Sequence, residues 1–464
     1  MIEVMPYQLF LAYMLSSIGG NFLEIPLGID ISVHLRHAVG ELPQALRTMS
    51  LFASVLADIL PVETLVWKLK MLESASSYAN SRLHAVRSQT LILSSGKDQL
   101  LPSQDEAERL CLHLSNCDSR KFNDRGHFLF LESDFELLSV IKGTSLYRCG
   151  RLRNFVSDYI PPTPSEFQSI YASYRWLENF TSPVMLSTLD DGKITRGLAG
   201  LPSLGPVLYV GYHMLLGLEL VPLVSRILIE RNIHVRGVAH PLMFDRKKDG
   251  FLPELSTYDS FRLMGAVPVS AKNFYRLFSS NSHVLLYPGG MREALHRKGE
   301  EYKLFWPNQS EFVRMAARFG ATIVPFGTVG EDDLGEVFFD YDDIVKIPYL
   351  KAQMEQLTSE AVKLRTDAGG EVSNQEVHLP GIRPKIPGRF YYLFGKPIET
   401  KGMVNLKDRE KSQELYLHVK SEVEFCLSYL KEKREMDPYR NILPRLVYQS
   451  TQGFTSEIPT FDIE

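Results

Sequence analysis

The feature that most constrains this chain is a set of three short apolar runs, each followed at once by a polar or glycine-rich turn. The runs are 207–210, 284–287 and 322–325. Their length and apolar character are typical of buried strands. Parallel strands deliver such turns to one edge of an α/β sheet, where these folds build their sites. The pattern therefore predicts an α/β fold with one site formed by residues 205–333.

The three turns supply the candidate site residues. They are His213 in the first turn, Gly289, Gly290, Arg292 and Glu293 in the second, and Glu331, Asp332 and Asp333 in the third. Adjacent glycines at the start of a helix let backbone N–H groups point at an oxyanion or phosphate. A histidine beside an apolar strand is more often a core residue, and a Gly-Gly pair alone is more often a plain turn. The combination is what indicates a site.

Length and composition exclude several classes of protein. A chain of 464 residues with 44% hydrophobic and 11% aromatic residues predicts two domains with sizeable cores. A net charge of -4 argues against a nucleic-acid binder. The four cysteines lack C-x-x-C spacing, which predicts reduced thiols and no zinc site. We expect no transmembrane span, secretory signal or transit peptide, because the sequence has neither an apolar run of sufficient length nor the expected leader composition.

The first third of the chain has the order strand, acid, helix, strand, histidine. A strand within 89–102 leads to Asp98, and a second strand-like segment presents His127. This order resembles the C-terminal half of an α/β-hydrolase, in which Asp98 would orient His127 as general base. The alternative is a strand-end turn and an ordinary hydrogen-bonded histidine. Because no G-x-S-x-G elbow supplies a nucleophilic serine, we expect the triad to be vestigial. We also expect the given sequence to begin inside the hydrolase domain.

Three prolines, Pro161, Pro162 and Pro164, mark a linker. We therefore predict a partial α/β-hydrolase with cap helices over 1–157 and a linker over 158–166. A second α/β domain follows over 167–435. Residues 436–464 form either a poorly ordered tail or a segment that wraps this domain.

Four segments stand out, GYHMLLG, FRLMGAVPVS, YPGGMREAL and GATIVPFGTVGEDD, within a region of roughly residues 201–400. Together they resemble the acyltransferases that esterify lipid alcohols, most closely the diacylglycerol acyltransferase type 2 family. Joined to a hydrolase half, this region resembles the plant phytyl ester synthases. The resemblance implies a glycerolipid-acyltransferase-like fold and fatty acyl transfer from acyl-CoA, acyl carrier protein or galactolipid to phytol or diacylglycerol. It also implies a plastid location, at plastoglobules or thylakoids.

That reaction needs a base for the acceptor hydroxyl and donors for the oxyanion. His213 is the predicted base. The wider superfamily orients its histidine with an acid in H-x4-D, but Leu218 holds that position, so the acid must come from elsewhere. Glu219 would lie about 240° around a continuous helix from His213 and serves only if the histidine precedes the helix. We rank Glu293 slightly above it.

The remaining roles concern the substrate and its surroundings. Gly289, Gly290 and Arg292 are predicted to bind the oxyanion or a headgroup, with a solvated surface charge as the alternative for Arg292. His240 is predicted to be structural or to line an entrance. The expected partners are a lipid alcohol, an acyl donor and a membrane or lipid-droplet surface, with no metal or nucleotide cofactor. Residues 215–229 fit either an interfacial helix or a core helix. The competing functions are a lipase or thioesterase remnant and a non-catalytic lipid-binding isoform.

Overall fold

The computed structural model of the protein describes a defined part of the chain. The described residues are 62–99, 101–132, 135–144, 146–148, 154–245, 252–309, 311–361, 376–403, 409–453 and 456–463. The chain divides into two compact units, Met1–Ile141 and Lys142–Glu464. The helices predicted before residue 62 lie outside the described residues.

The first unit contains a parallel strand-helix-strand element. In chain order the elements are α1 (Val62–Asn80), β1 (Thr90–Ser95), α2 (Ser103–His113) and β2 (Cys117–Phe122), followed by α3 (Leu137–Gly143). Strands β1 and β2 pair in parallel, with α2 as the crossover between them. The predicted strand order around Asp98 and His127 is therefore present.

A disulfide joins Cys111 in the last turn of α2 to Cys117 at the start of β2, with Cα atoms 5.2 Å apart. The prediction of reduced thiols was wrong for this pair, because the short connection brings the end of the helix against the start of the strand. Cys426 is a buried free thiol, as predicted.

The second unit is built on one large sheet with helices around it. Its elements are α4 (Pro164–Thr181), β3 (Val184–Thr188), β4 (Ile194–Arg196), β5 (Val207–Gly211), α5 (Leu220–Arg231), β6 (Val235–Ala239), α6 (Asp259–Leu263), β7 (Val267–Pro268), α7 (Ala271–Ser279), β8 (His283–Leu286), α8 (Met291–Ala294), α9 (Glu311–Phe319), β9 (Thr322–Val329), α10 (Glu331–Leu334), β10 (Gly335–Phe339), α11 (Tyr341–Ile344), α12 (Pro348–Glu360), β11 (Gly381–Pro384), β12 (Tyr391–Phe394), α13 (Arg409–Arg434) and α14 (Ile442–Gln452). The eight strands of the sheet follow the order β4-β3-β12-β9-β5-β8-β6-β7.

Strands β9, β5, β8, β6 and β7 run parallel to one another, and β12 pairs antiparallel to β9. All residues of β5 and β9 are buried, as expected for parallel strands with both faces covered. On one face α13 packs against β9, and its backbone comes so close that a Cβ at Gly327 would lie 2.8 Å from the Leu427 nitrogen. The fold is α/β, as predicted.

The sequence left two alternatives for residues 215–229, an interfacial helix and a core helix, and α5 lies in this segment. Leu223 and Ile227 on this helix are fully buried, so α5 is a core helix rather than an interfacial one. Leu216 and Ile229 are the exposed apolar residues at the two ends of the segment. Among the helices that the structure describes, none is long and apolar enough to cross a bilayer.

The end of the chain is ordered against the second unit. Arg445 of α14 is buried and donates to the carbonyls of Phe180 and Pro387 at 2.8 and 3.0 Å. The ring of Phe461 stacks on Tyr391 with centroids 5.9 Å apart. The described part of residues 436–464 therefore packs against the second unit.

Candidate active site

The three turns singled out in the sequence lie at one edge of the large sheet. Strand β5 lies between β8 and β9 and is parallel to both, so the carboxyl ends of all three strands face the same way. Strands β5 and β8 match the predicted runs to within one residue at each end, whereas β9 continues four residues further, to Val329. The turns that follow β8 and β9 therefore lie at the same edge of the sheet as the turn that follows β5.

His213 lies two residues after the end of β5 and pairs with Glu219. The chain reverses at Leu216 and Gly217, which both have positive φ angles, 55° and 71°. This reversal places the Glu219 Oε1 atom 2.8 Å from the His213 Nδ1 atom. The glutamate side chain is fully buried, whereas the histidine is 17% exposed. His213 thus precedes the helix, which is the arrangement in which Glu219 can serve as its partner.

The ranking of Glu293 above Glu219 as the acid partner was wrong. The imidazole contacts Glu219, while the Glu293 carboxylate accepts the backbone N–H groups of His213 and Phe305 at 3.1 and 3.0 Å. The Nδ1–H of His213 donates to Glu219, which leaves the Nε2 lone pair as the proton acceptor. A partly exposed imidazole held in this tautomer has the form of a general base.

Tyr287, the last residue of the second predicted run, fixes the plane of the imidazole. Its ring stacks on His213 with centroids 4.1 Å apart and planes within 11°. Burial, together with the negative charge of nearby Glu219, raises the pKa of the Tyr287 hydroxyl well above its usual value. The tyrosine therefore stays neutral and serves as a wall of the site.

Glu293 is fully buried at this edge of the sheet. Burial raises its pKa to about 8, and the charges of Glu219 and Glu331 add to the rise, while its two N–H donors oppose it. A Cβ atom at Gly289 would lie 2.1 Å from the Glu293 carboxyl carbon, so glycine is needed there for the carboxyl to fit. Gly290 has a φ of 50°, and its N–H donates to the Tyr287 carbonyl at 3.1 Å. In this conformation that N–H is used within the turn.

Arg292 is buried rather than solvated. Its guanidinium binds both oxygens of Glu300 at 2.7 and 2.8 Å and lies 3.8 Å from the centre of the Phe305 ring. The solvated-charge alternative was therefore wrong. The ion pair fixes the segment that carries the Phe305 N–H donor of Glu293.

The acidic residues of the third turn have two kinds of partner. Glu331 is buried and accepts the Tyr212 hydroxyl at 2.7 Å and the backbone N–H of Leu215. Tyr212 and Leu215 flank His213, so Glu331 holds the histidine loop from both sides. Asp332 and Asp333 instead form ion pairs with arginines from the end of the chain, Arg434 at 2.6 Å and Arg440 at 2.8 Å.

The chain is similar to several known proteins. Residues 256–357 match the diacylglycerol acyltransferase family. The chain is 54% identical over 409 residues to phytyl ester synthase 2, chloroplastic, of Arabidopsis thaliana. The aligned region covers 88% of this chain and 58% of that protein. It is 50% identical over 470 residues to phytyl ester synthase 1, chloroplastic, of the same plant, covering 99% and 66%.

The chain is a homologue of the phytyl ester synthases. It spans less than two thirds of the length of either of these two relatives, 58% and 66%. Among solved structures, the 1-acyl-sn-glycerophosphate acyltransferase PlsC of Thermotoga maritima overlaps 57% of this chain and 80% of its own, with 13% identity and a TM-score of 0.31.

The match to the diacylglycerol acyltransferase family contains the second and third turns but begins after His213. Sequence reasoning also missed Tyr212, Tyr287 and His296 as neighbours of the site. His296 lies 3.6 Å from Glu331; burial lowers its pKa, but the contact with Glu331 outweighs burial and leaves the pKa raised. Tyr212 and Tyr287 directly adjoin the predicted turns, and that position next to a strand end was the available signal.

The first unit holds the other predicted histidine pair. The His127 Nδ1 atom lies 3.0 Å from both carboxylate oxygens of Asp98. Asp98 also accepts the backbone N–H of Leu101 at 3.0 Å and the Ser103 hydroxyl. The acid and the histidine of the predicted triad are thus in contact.

Two further predictions concern His240 and metals. His240 accepts the Leu242 N–H at 3.2 Å at the start of a 3-10 turn, and burial lowers its pKa to about 4. This contact is structural. Over the described ranges of the chain, no three histidine, cysteine or acidic residues are grouped as metal ligands.

Proposed function

We propose that this chain is an O-acyltransferase that moves a fatty acyl group from acyl-CoA, acyl carrier protein or galactolipid to phytol or diacylglycerol. The products are phytyl esters and triacylglycerol. The homology to phytyl ester synthases and the match to the diacylglycerol acyltransferase family support this proposal. The observation that carries it is the His213–Glu219 pair at the edge where three parallel strands end.

In the proposed reaction the acceptor hydroxyl lies beside the His213 Nε2 atom. As the alcohol oxygen attacks the acyl carbonyl carbon, its proton moves to Nε2, and the carbonyl becomes a tetrahedral oxyanion. Collapse of this intermediate breaks the bond to the thiol or alcohol of the donor, which takes the proton back from the imidazolium. Glu219 stabilises the imidazolium between these steps, as the acid does in a histidine-acid dyad.

In this proposal, the Gly289–Gly290 turn lies beside the oxyanion of the intermediate. We place the oxyanion beside the backbone of Gly289, at the end of the second strand and next to Tyr287. The Gly290 N–H closes the turn, and Arg292 holds Glu300, so both act by fixing the turn's shape. Glu293 and Glu331 fix the histidine loop through hydrogen bonds to its backbone and to Tyr212.

The first unit supplies the competing hypothesis. The contact between Asp98 and His127 favours a remnant of a serine hydrolase, which we propose plays no part in acyl transfer. We further propose that the acyltransferase acts in the plastid, at a plastoglobule or thylakoid surface, because both relatives are named chloroplastic and the substrates are amphiphilic.

The test supplies the purified chain in detergent micelles with a labelled acyl donor and either phytol or diacylglycerol. The proposal expects labelled ester from the wild type and none from a folded His213→Ala variant, and the acceptor that gives ester is the substrate. Labelled free fatty acid that depends on His127 would favour the hydrolase. A folded wild type that forms no ester with either acceptor would refute the proposal for this chain.

A further inference from the structure

An apolar groove lies over the sheet of the second unit, between helices α4, α5 and α6. Its walls include Ile170 from α4, Leu220 and Val224 from α5, and Phe261 and Met264 from the α6 region. Gly237 of β6 and Leu285 of β8 lie on its sheet side and are paired with each other across these two strands.

Three of the hydroxyl groups along the walls have hydrogen-bond partners. The Tyr174 hydroxyl of α4 lies 3.1 Å from the Ser260 hydroxyl of α6, which ties the two sides of the groove together. The Tyr171 hydroxyl donates to Glu178. Since these hydroxyl groups already have partners, the groove favours a hydrocarbon over a polar ligand.

One end of the groove lies beside the catalytic pair. A Cβ atom built on Gly217 would be 3.0 Å from the His213 Cε1 atom and also 3.0 Å from the Leu220 Cδ1 atom. These two atoms are therefore at most about 6 Å apart, and Leu220 also lines the groove. Val224 lies one turn further along α5, so the groove leads away from His213 beneath that helix.

We propose that this groove binds the hydrocarbon chain of the fatty acyl group that is transferred. This inference rests on the proposed acyltransferase function and adds where that substrate lies. The acyl chain is the hydrocarbon common to every version of the reaction, whichever alcohol accepts it. A chain seated here has its carboxyl end near Leu220 and His213, which leaves the donor's polar carrier in solvent.

Gly237 offers a clean way to shorten the groove. A Cβ atom at this position meets no atom within 4 Å, and its φ angle is not in the left-handed region, so a larger side chain enters the groove without backbone strain. The variant Gly237→Leu fills this space. Val224→Phe narrows the groove from the helix side and serves as a second variant in case the first does not fold. Ile229→Phe is the matched control, since Ile229 is 49% exposed at the far end of the same helix.

The experiment compares relative kcat/KM for labelled acyl donors of 8 to 18 carbons at a fixed alcohol. Each methylene excluded from the groove costs about fourfold in relative kcat/KM. We expect Gly237→Leu and Val224→Phe to raise the ratio of short-chain to long-chain transfer by about tenfold, while Ile229→Phe keeps the wild-type ratio. An unchanged ratio in both groove variants, or a shift in the preferred alcohol in place of the donor, would overturn the inference.

A binding measurement separates this inference from the proposed reaction. A palmitate analogue with a terminal diazirine, irradiated with the His213→Ala chain, should label peptides from α4 to α6, and Gly237→Leu should reduce that labelling. Labelling confined to other peptides would overturn the groove assignment even if the wild type makes ester. Labelling in the groove of a chain that makes no ester would support the groove and refute the function.

Discussion

Two regions of this protein hold a histidine against a buried carboxylate, and they differ in everything around the pair. The imidazole of His127 meets both oxygens of Asp98 at 3.0 Å in a two-stranded parallel element, with 25% of the histidine side chain exposed. The imidazole of His213 meets Glu219 at 2.8 Å at the edge of an eight-stranded sheet, stacked on Tyr287 and beside an apolar groove.

The difference shows what a histidine-acid pair needs before it can act. Asp98 is shared with the Leu101 N–H and the Ser103 hydroxyl, and these bonds make it part of a turn. Glu219 is buried, and two other buried acids, Glu293 and Glu331, hold the loop that carries His213. Among the residues that the structure describes, the second region combines a held histidine, a glycine turn and a nearby apolar groove.

The largest expected effect comes from removing each histidine in turn. His213→Ala should lower ester formation by about 10²–10⁴, the usual contribution of a general base. His127→Ala should leave the rate within about twofold. Initial rates with labelled donor check both variants, with circular dichroism as the control for folding. Equal losses in the two variants would erase the distinction between the regions.

Replacing the acid partner of each histidine compares the same two regions. Glu219→Gln keeps the size of the side chain but removes the charge that stabilises the imidazolium, and we expect kcat to fall roughly 10²-fold. Asp98→Asn, the matched change in the first region, should leave kcat unchanged. Steady-state kinetics at saturating alcohol separate kcat from KM. A larger loss from Asp98→Asn than from Glu219→Gln would favour the hydrolase pair as the catalyst.

A smaller effect is expected from one tightly packed glycine in each region. Gly289→Ala places a methyl group 2.1 Å from the Glu293 carboxyl carbon, which must then leave its two N–H donors. We expect a loss of about 1–3 kcal/mol in unfolding free energy and slower transfer. Gly96→Ala creates a similar clash in the first region, 2.5 Å from the Asn123 Cα atom, and should destabilise the fold without slowing transfer. Thermal melts and initial rates distinguish the two.

A further expected effect is the pH dependence that Glu293 gives to folding. Its pKa of about 8, raised by burial from 4.5, means that the folded state keeps a proton that the unfolded state has lost between those two values. Stability should therefore fall as pH rises through this window, by at most about 1.4 kcal/mol per pH unit. Glu293→Gln should remove that slope. Denaturant midpoints from pH 5 to 8 measure it, and a parallel slope in the variant would contradict the assignment.

The sequence predicted the three central parallel strands β5, β8 and β9, because they are continuous apolar runs that end in abrupt polar turns. The choice of Glu219 over Glu293 as the partner of His213 could not be made from the sequence, since the reversal depends on Leu216, a non-glycine residue at positive φ. The separation of Glu331 from Asp332 and Asp333 depends on Arg434 and Arg440, which follow about a hundred residues later. The groove depends on how three helices pack over the sheet, and no local pattern encodes that packing.

The central claim is that Glu219 acts through His213, and a double-mutant cycle tests it most directly. The rate of ester formation would be measured for the wild type, His213→Ala, Glu219→Gln and the double variant. If the acid serves only to orient and stabilise the imidazole, the double variant should be no slower than His213→Ala alone. If the two losses multiply, Glu219 acts independently of His213, and the account of this site is wrong.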